Sequence, residues 1–328
     1  MRDFRLPNTA KGAACAMESG MKYYFIVNPH SRTDQGRRIW EQQLLPVLRS
    51  GKTDWEVLQT ARAGHCTELV RALTAGPHGP ITIVILGGDG TLNEAVNGID
   101  RFENLTLAYL PIGSGNDFAR GMRLRGTPAE QLRGILARRH ELLLDYGEVQ
   151  ADGAAPQRFL VSSGIGFDAY VTDEALTSPV KNVMNALHLG SLTYAVIAVK
   201  QLIRIPLQPA VLTTDDGMEY RFDRFYFASS HNLPYEGGGF RFAPDARPDD
   251  GLLHVCAVTA LPKPLVLLAL PTAFFGLHVK VPGIRILPCR NLRVSLANPY
   301  PVHTDGETYH PRTRIEVRCI PGRLHFVY

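Results

Sequence analysis

One stretch limits the choice of fold more than any other. Ile81-Thr82-Ile83-Val84-Ile85-Leu86 runs into Gly87-Gly88-Asp89-Gly90-Thr91-Leu92-Asn93-Glu94. A run of β-prone residues, mostly β-branched, suits a parallel strand covered on both faces. Gly87, Gly88 and Gly90 then allow positive φ and bring bare backbone close to a ligand. The helix that follows aims its free N–H groups and positive dipole end into the turn, a geometry that suits phosphate. Asp89 fits beside a phosphate when a divalent cation lies between the two. Thr91 offers a hydroxyl to phosphate and is also an N-cap candidate.

The flanking sequence repeats this unit. Strands are expected over 21–27, 55–59, 81–86 and 105–110. Helices are expected over 37–48, from 67 to 73 and from the glycine turn to about 96. Alternation of this kind gives a parallel sheet with helices on both faces, and such sheets bind ligands at the carboxyl ends of their strands. Those ends carry Asn28, Thr60, the segment Gly87 to Thr91, and Gly113-Ser114-Gly115-Asn116. All are polar or glycine-rich, which points to one shared site. Asn116 and Asp117 stand at a helix start, so either is a plain cap or a site residue.

Past about residue 145 short strands replace the alternation: 158–162, 211–214, 221–229, 252–258, 284–287, 291–296, 314–319 and 324–327. This reads as an antiparallel sandwich or barrel. Helical stretches over 180–203, with Lys181, Lys200 and Arg204 at its ends, and over 263–277 are either core or the frame of an apolar acyl-chain pocket. Gly237-Gly238-Gly239-Phe240 leads into an acidic loop that ends Asp249-Asp250-Gly251-Leu252. It is a plain turn or an oxygen-rich cradle for a hard cation. His303-Thr304-Asp305-Gly306-Glu307 reads as a hairpin turn. Gly166-Phe167-Asp168-Ala169 reads as a strand-to-helix turn or an acceptor contact.

At 328 residues the chain has room for two domains. A net charge of +4 is too mild to argue for nucleic acid and is compatible with a face near anionic lipid. The five cysteines are scattered without a CxxC pair and read as reduced thiols. No apolar run reaches the roughly 18 residues that span a bilayer. Residues 1–20 read as a disordered extension or a vector-derived lead.

The string GGDGTLNE resembles the nucleotide loop shared by diacylglycerol kinases, sphingosine kinases, NAD kinases and phosphofructokinases. The second loop, Gly113 to Arg120 with its NDFAR, is similar to the diacylglycerol kinase catalytic family, as are the GGGF…DDG string and the C-terminal DGE. The resemblance runs from about Met21 to Cys319. It implies a Rossmann-like α/β domain of the phosphofructokinase and NAD kinase kind over 21–145, an antiparallel β-sandwich lipid-substrate domain over 146–328, and a nucleotide cleft between them.

It further implies an ATP-dependent lipid kinase that uses Mg2+. Gly87, Gly88, Gly90 and Thr91 would hold phosphate, with Asn28, Ser31, Thr60, Asn93, Ser114 and Asn116 lining the rest. Asp89 would orient magnesium together with Asp117, and Glu307 would take the proton from the lipid hydroxyl. By the same resemblance a structural magnesium would sit on Asp250 and the carbonyls of Arg247 and Leu252. The implied acceptor is diacylglycerol first, then phosphatidylglycerol, ceramide or a sphingoid base. The implied setting is cytoplasmic, in transient contact with the inner face of the membrane, as a homodimer, with no nucleic acid partner.

One position departs from the family pattern: Arg32 stands where a glycine is usual, and either binds phosphate or faces solvent. Two rival classes would leave other marks. A soluble kinase of the NAD kinase type lacks the NDFA and GGGF…DDG strings. A non-catalytic lipid binder would have lost the glutamate or the glycines.

Overall fold

The computed structural model describes residues 21–151, 153–177 and 190–328. The extension over 1–20, Lys181 and the first part of the expected helix 180–203 lie outside them. The first half is the expected α/β unit. Strands β1 (Lys22–Val27), β2 (Asp54–Gln59), β3 (Ile81–Gly87) and β4 (Leu105–Pro111) pair in parallel in the order β2-β1-β3-β4. Every residue of β3 is buried. Ile83 and Ile85 pack with Cys66, Val70, Leu92 and Val96 of the helices His65–Thr74 and Asp89–Gly98. Val84 and Leu86 face the other way, onto Trp40, Leu44, Leu48, Leu132 and Ile135. Each such side chain contributes about 1.5–3 kcal/mol by burial, so the strand that carries the glycine turn is a rigid base for it.

The first helix begins at Ser31, six residues ahead of the expected start, and runs to Arg49 through a π-helical stretch, Trp40–Leu44. Pro46 has no N–H for the regular ladder, and the wider turn before it accommodates the gap. Gly36 is required where this helix crosses the end of β1, because a Cβ there would stand 2.1 Å from the Asn28 carbonyl oxygen.

The second half is antiparallel, as expected. Strands β7 (Ser162–Gly166), β8 (Gln208–Thr214), β9 (Glu219–His231), β10 (Leu253–Thr259), β11 (Ile284–Cys289) and β12 (Asn291–Thr304) build it. The long strands β9 and β12 each pair β7 at one end and β8 at the other, so these four close on one another. Phe225, Phe227, Val255, Val294 and Val317 fill the interior with Ala198 and Leu202 of the helix Gly190–Arg204. The stretch 263–277 is an α-helix only over Lys263–Ala269. Pro271 opens a 3-10 segment, Leu270–Phe275.

Two strands join the halves. The segments expected at 314–319 and 324–327 are one strand, β13 (Glu307–Val327), bulged between Ile320 and Leu324. It pairs β12, then the unanticipated β5 (Glu141–Ala151), which also carries the short β6 (Gln157–Phe159). Its last residues, His325–Val327, then lie parallel to β4. Leu324 and Phe326 are buried in the core of the α/β half.

Candidate active site

The glycine turn closes β3 and opens the helix Asp89–Gly98. Gly88 occupies the cap position in extended conformation, so Thr91 lies inside the helix rather than capping it. The Thr91 hydroxyl accepts a hydrogen bond from Asn28 Nδ2 at 3.1 Å, and Asn28 Oδ1 accepts from the His30 N–H. Ser31 donates its N–H to the Asn28 carbonyl. Gly88 and Gly113 meet backbone to backbone: a Cβ on Gly113 would stand 2.7 Å from Gly88 Cα. The turns after β3 and β4 therefore form one surface, with Ser114 exposed beside it. Thr60 is buried at the end of β2, two strands from the glycine turn.

Asn116 takes the left-handed conformation at the start of the short helix Asp117–Gly121. Its Nδ2 donates to the Gly113 carbonyl, and its buried Oδ1 has no hydrogen-bond partner. That helix is capped from outside: Asp89 accepts from the N–H groups of Asp117 at 3.0 Å and Phe118 at 3.3 Å. Asp117 is thus not a cap. Its carboxylate receives Arg120 at 2.7 Å and the Gly238 N–H at 2.8 Å, which ties the glycine triplet of the second half to the nucleotide-loop side. Burial raises both carboxyls above their ordinary range, that of Asp117 to about 6, where the nearby Asp89 charge adds to the effect. Two buried carboxylates that repel one another, each with lone pairs left over, are a donor set that fits a divalent cation.

Glu307 arrives on the β12–β13 hairpin. Asp305 and Gly306 both have positive φ at its tip. Glu307 Oε1 lies 3.2 Å from where a Cβ on Gly90 would stand, so the C-terminal glutamate overhangs the first turn of the Asp89–Gly98 helix. Asp305 sets that position. Its carboxylate accepts from the N–H groups of Leu160, Val161 and Ser162 and from Asn93 Nδ2, all at 2.9–3.0 Å. The structure gives Asn93 this bracing place and not one in the phosphate lining: its amide also donates to the Arg158 carbonyl. A helix-borne Asn next to a glycine turn reads as a site residue, but here both amide hydrogens are engaged by Asp305 and Arg158.

The acidic loop lies elsewhere. Asp250 accepts from the Leu252 N–H at 3.0 Å and faces His254, while the Arg247 guanidinium pairs with Asp249. Asp145 of β5 holds this loop to β13 by accepting from Gly251 and Gly322. Burial and then repulsion from Asp250 and Asp249 push the Asp145 carboxyl up. That excess of negative charge, with oxygen donors, fits a hard cation. Arg32 is exposed, with φ of +50°. That is the conformation a glycine adopts without strain, which explains the usual residue there.

One group of residues has no contiguous sequence signal. Asp168, His231, Glu236 and His303 meet inside the second half, where Asp168 is buried. His303 is raised to about 10: the neighbouring carboxylates outweigh its burial. His303, by its charge and its hydrogen bond, in turn leaves Glu236 lowered to about 2 despite that group's own burial.

Comparison with known proteins agrees with this architecture. Residues 22–149 match the diacylglycerol kinase catalytic domain and residues 161–328 the YegS C-terminal NAD kinase beta sandwich-like domain. The "Putative lipid kinase YtlR" of Bacillus subtilis (strain 168) is 29% identical over 87% of this chain and 93% of its own. The "Probable lipid kinase YegS-like" protein of Stenotrophomonas maltophilia (strain K279a) is 30% identical over 75% of this chain and 78% of its own. A crystal structure titled "putative diacylglycerol kinase", from Bacillus anthracis str. Sterne, superposes with a TM-score of 0.73 at 23% identity, covering 94% of this chain and 95% of that one, and shows the same fold. The chain belongs to the diacylglycerol kinase catalytic-domain family and is a lipid kinase.

Proposed function

We propose that the enzyme transfers the γ-phosphoryl group of ATP to the primary hydroxyl of diacylglycerol, giving phosphatidic acid. The observation that supports this best is the approach of Glu307 to Gly90, which puts a carboxylate over the phosphate-binding turn. In this reading Gly87, Gly88, Gly90 and Thr91 hold phosphate oxygens, with Asn28, Ser31, Ser114 and Asn116 beside them. Glu307 accepts the proton of the acceptor hydroxyl as its oxygen attacks the γ-phosphorus. The bond to the bridging oxygen of ADP breaks, and ADP leaves with that electron pair. Asp89 and Asp117 would hold Mg2+, which supplies charge neutralisation on the phosphates. A second Mg2+ would be held by Asp250 and the carbonyls of Arg247 and Leu252. Alignment and neutralisation are most of what phosphoryl transfer requires.

The acceptor reaches the site from a membrane surface. Among the described residues no helix is long and apolar enough to cross a membrane. Leu268 (71% exposed), Phe275 (75%) and Ile203 (69%) are instead exposed apolar side chains that in this reading make up a docking face, and Phe274 is stacked on Phe240 next to the glycine triplet that touches Asp117. The sequence from Gly251 to Thr304 contains no acidic residue and includes Lys263, Lys280 and Arg285. Such a face suits an anionic bilayer.

The test is transfer from γ-labelled ATP to a lipid panel in mixed micelles, with the product identified by mass. Label in phosphatidic acid supports diacylglycerol. Label only in phosphatidylglycerol, ceramide or a sphingoid base refutes that acceptor and keeps the mechanism.

A further inference from the structure

We propose that Asp168, Glu236, His303 and His231 form a second kind of metal centre, a buried site for a divalent transition-metal ion such as Zn2+ or Mn2+. The residues come from four places in the fold: the first turn of the helix Phe167–Thr177, the loop before the glycine triplet, β12, and the end of β9. His303 Nε2 lies 3.1 Å from Asp168 Oδ2 and 3.4 Å from Glu236 Oε1. His231 Nε2 lies 3.5 Å from Glu236 Oε2. The donor atoms of Asp168, Glu236 and His303 all fall within 4.8 Å of one another. Ligands about 2.1 Å from a common ion stand about 3.0–3.4 Å apart along the edges of an octahedron or tetrahedron; the His303–Asp168 and His303–Glu236 spacings match this, and His231 joins the group through Glu236.

Hydrogen bonding alone leaves this group incomplete. His231 is 0% exposed and neither of its ring nitrogens has a hydrogen-bond partner, although Nε2 points at Glu236. His303 presents one nitrogen to two carboxylates, and its buried Nδ1 has none. A buried imidazole without partners is costly, and coordination removes that cost. Charge agrees: once the ion displaces the proton of His303, two carboxylates with two neutral rings carry two negative charges, which a divalent ion cancels. The space is cleared for these side chains. A Cβ on Gly164 would stand 1.7 Å from Asp168 Oδ2 and 2.8 Å from His303 Nε2. Mixed imidazole and carboxylate donors favour a transition metal over Mg2+. Bound there, the ion ties the helix Phe167–Thr177, β9 and β12 together immediately before Asp305, Gly306 and Glu307. The inference does not depend on which lipid is phosphorylated.

The experiment is metal analysis and zinc X-ray absorption on the full-length protein, loaded with Zn2+ during refolding and dialysed against Mg2+. The expected result is about one retained zinc per chain with two imidazole nitrogens at about 2.0–2.1 Å. Glu236→Gln should lower zinc affinity by about 10–100-fold, and Asp250→Asn should leave it unchanged. Substoichiometric zinc in the wild-type protein, or a shell of oxygen donors alone, overturns the proposal whether or not Glu236→Gln folds. Retention that is lost in Asp250→Asn also overturns it, by placing the ion in the acidic loop.

Discussion

Asp305→Asn separates the bracing of the hairpin that carries Glu307 from the chemistry proposed for that glutamate. Oδ1 of Asp305 accepts from Val161 and Ser162, and Oδ2 from Leu160 and Asn93. An asparagine keeps its oxygen on one pair and turns an amine against two donors on the other. Two hydrogen bonds to a charged acceptor are lost, worth about 1.5–3 kcal/mol each. Burial already works against the charged form, raising the Asp305 carboxyl, so part of that loss is offset. The net expectation is about 3 kcal/mol of stability, within the total of a folded domain. At about 2–4 °C per kcal/mol for a domain of this size, Tm falls by about 6–12 °C. Glu307 is two residues further on, and a displacement of about 1 Å at a reacting group costs about 100-fold. Thermal denaturation and steady-state kinetics on the purified variant measure both, and ATP affinity should be retained. A Tm within 2 °C of wild type together with kcat within about twofold would refute the claim that Asp305 positions Glu307.

Other perturbations give equally specific outcomes. Asp117 has its carboxyl raised to about 6, so kcat/KM should fall as pH drops through about 6. A raised carboxyl destabilises the fold when ionised and is relieved by protonation, so this group causes no loss of Tm over the same interval. A pH–rate profile beside thermal denaturation tests both signs. Arg32→Gly relieves a left-handed conformation and should add about 1 kcal/mol of stability with the KM for ATP unchanged. A several-fold rise in that KM would show Arg32 on the phosphate. Gly113→Ala forces the two glycine turns apart, with about 1–3 kcal/mol lost and activity reduced far more than stability. Leu268→Glu with Phe275→Glu should abolish flotation with anionic vesicles while leaving ATP binding unchanged, and undiminished flotation would remove that face as the docking surface.

Local signals made the α/β half legible. A β-branched run, a glycine turn and a polar strand end each announce themselves within a few residues, and the structure places Asn28, Gly87 to Thr91, Ser114 and Asn116 on neighbouring strand ends. The helix start at Ser31 was hidden because Pro46 and the π turn disturb its apolar spacing. In β13 the pair Pro321-Gly322 reads as a stop. The backbone instead bulges there, and Asp145 catches the freed Gly322 N–H at 2.6 Å. The reach of this strand into the first half depends on pairing with residues more than 160 positions away, which no local pattern encodes. Asn93 misled for a related reason: its partners, Arg158 and Asp305, are remote in sequence. The buried group of Asp168, His231, Glu236 and His303 is the extreme case, since only the closing of β7, β9 and β12 brings it together.

The most direct measurement of the central claim is phosphoryl transfer from γ-labelled ATP to diacylglycerol by wild-type enzyme and Glu307→Gln, with ATP affinity measured on both. Loss of a positioned general base costs about 10²–10⁴-fold. The account therefore expects labelled phosphatidic acid from the wild type, a fall of that size in kcat for the variant, and ATP affinity within a few-fold. Transfer by Glu307→Gln within tenfold of wild type would contradict the role given to Glu307, and an unlabelled lipid with the wild type would contradict the acceptor.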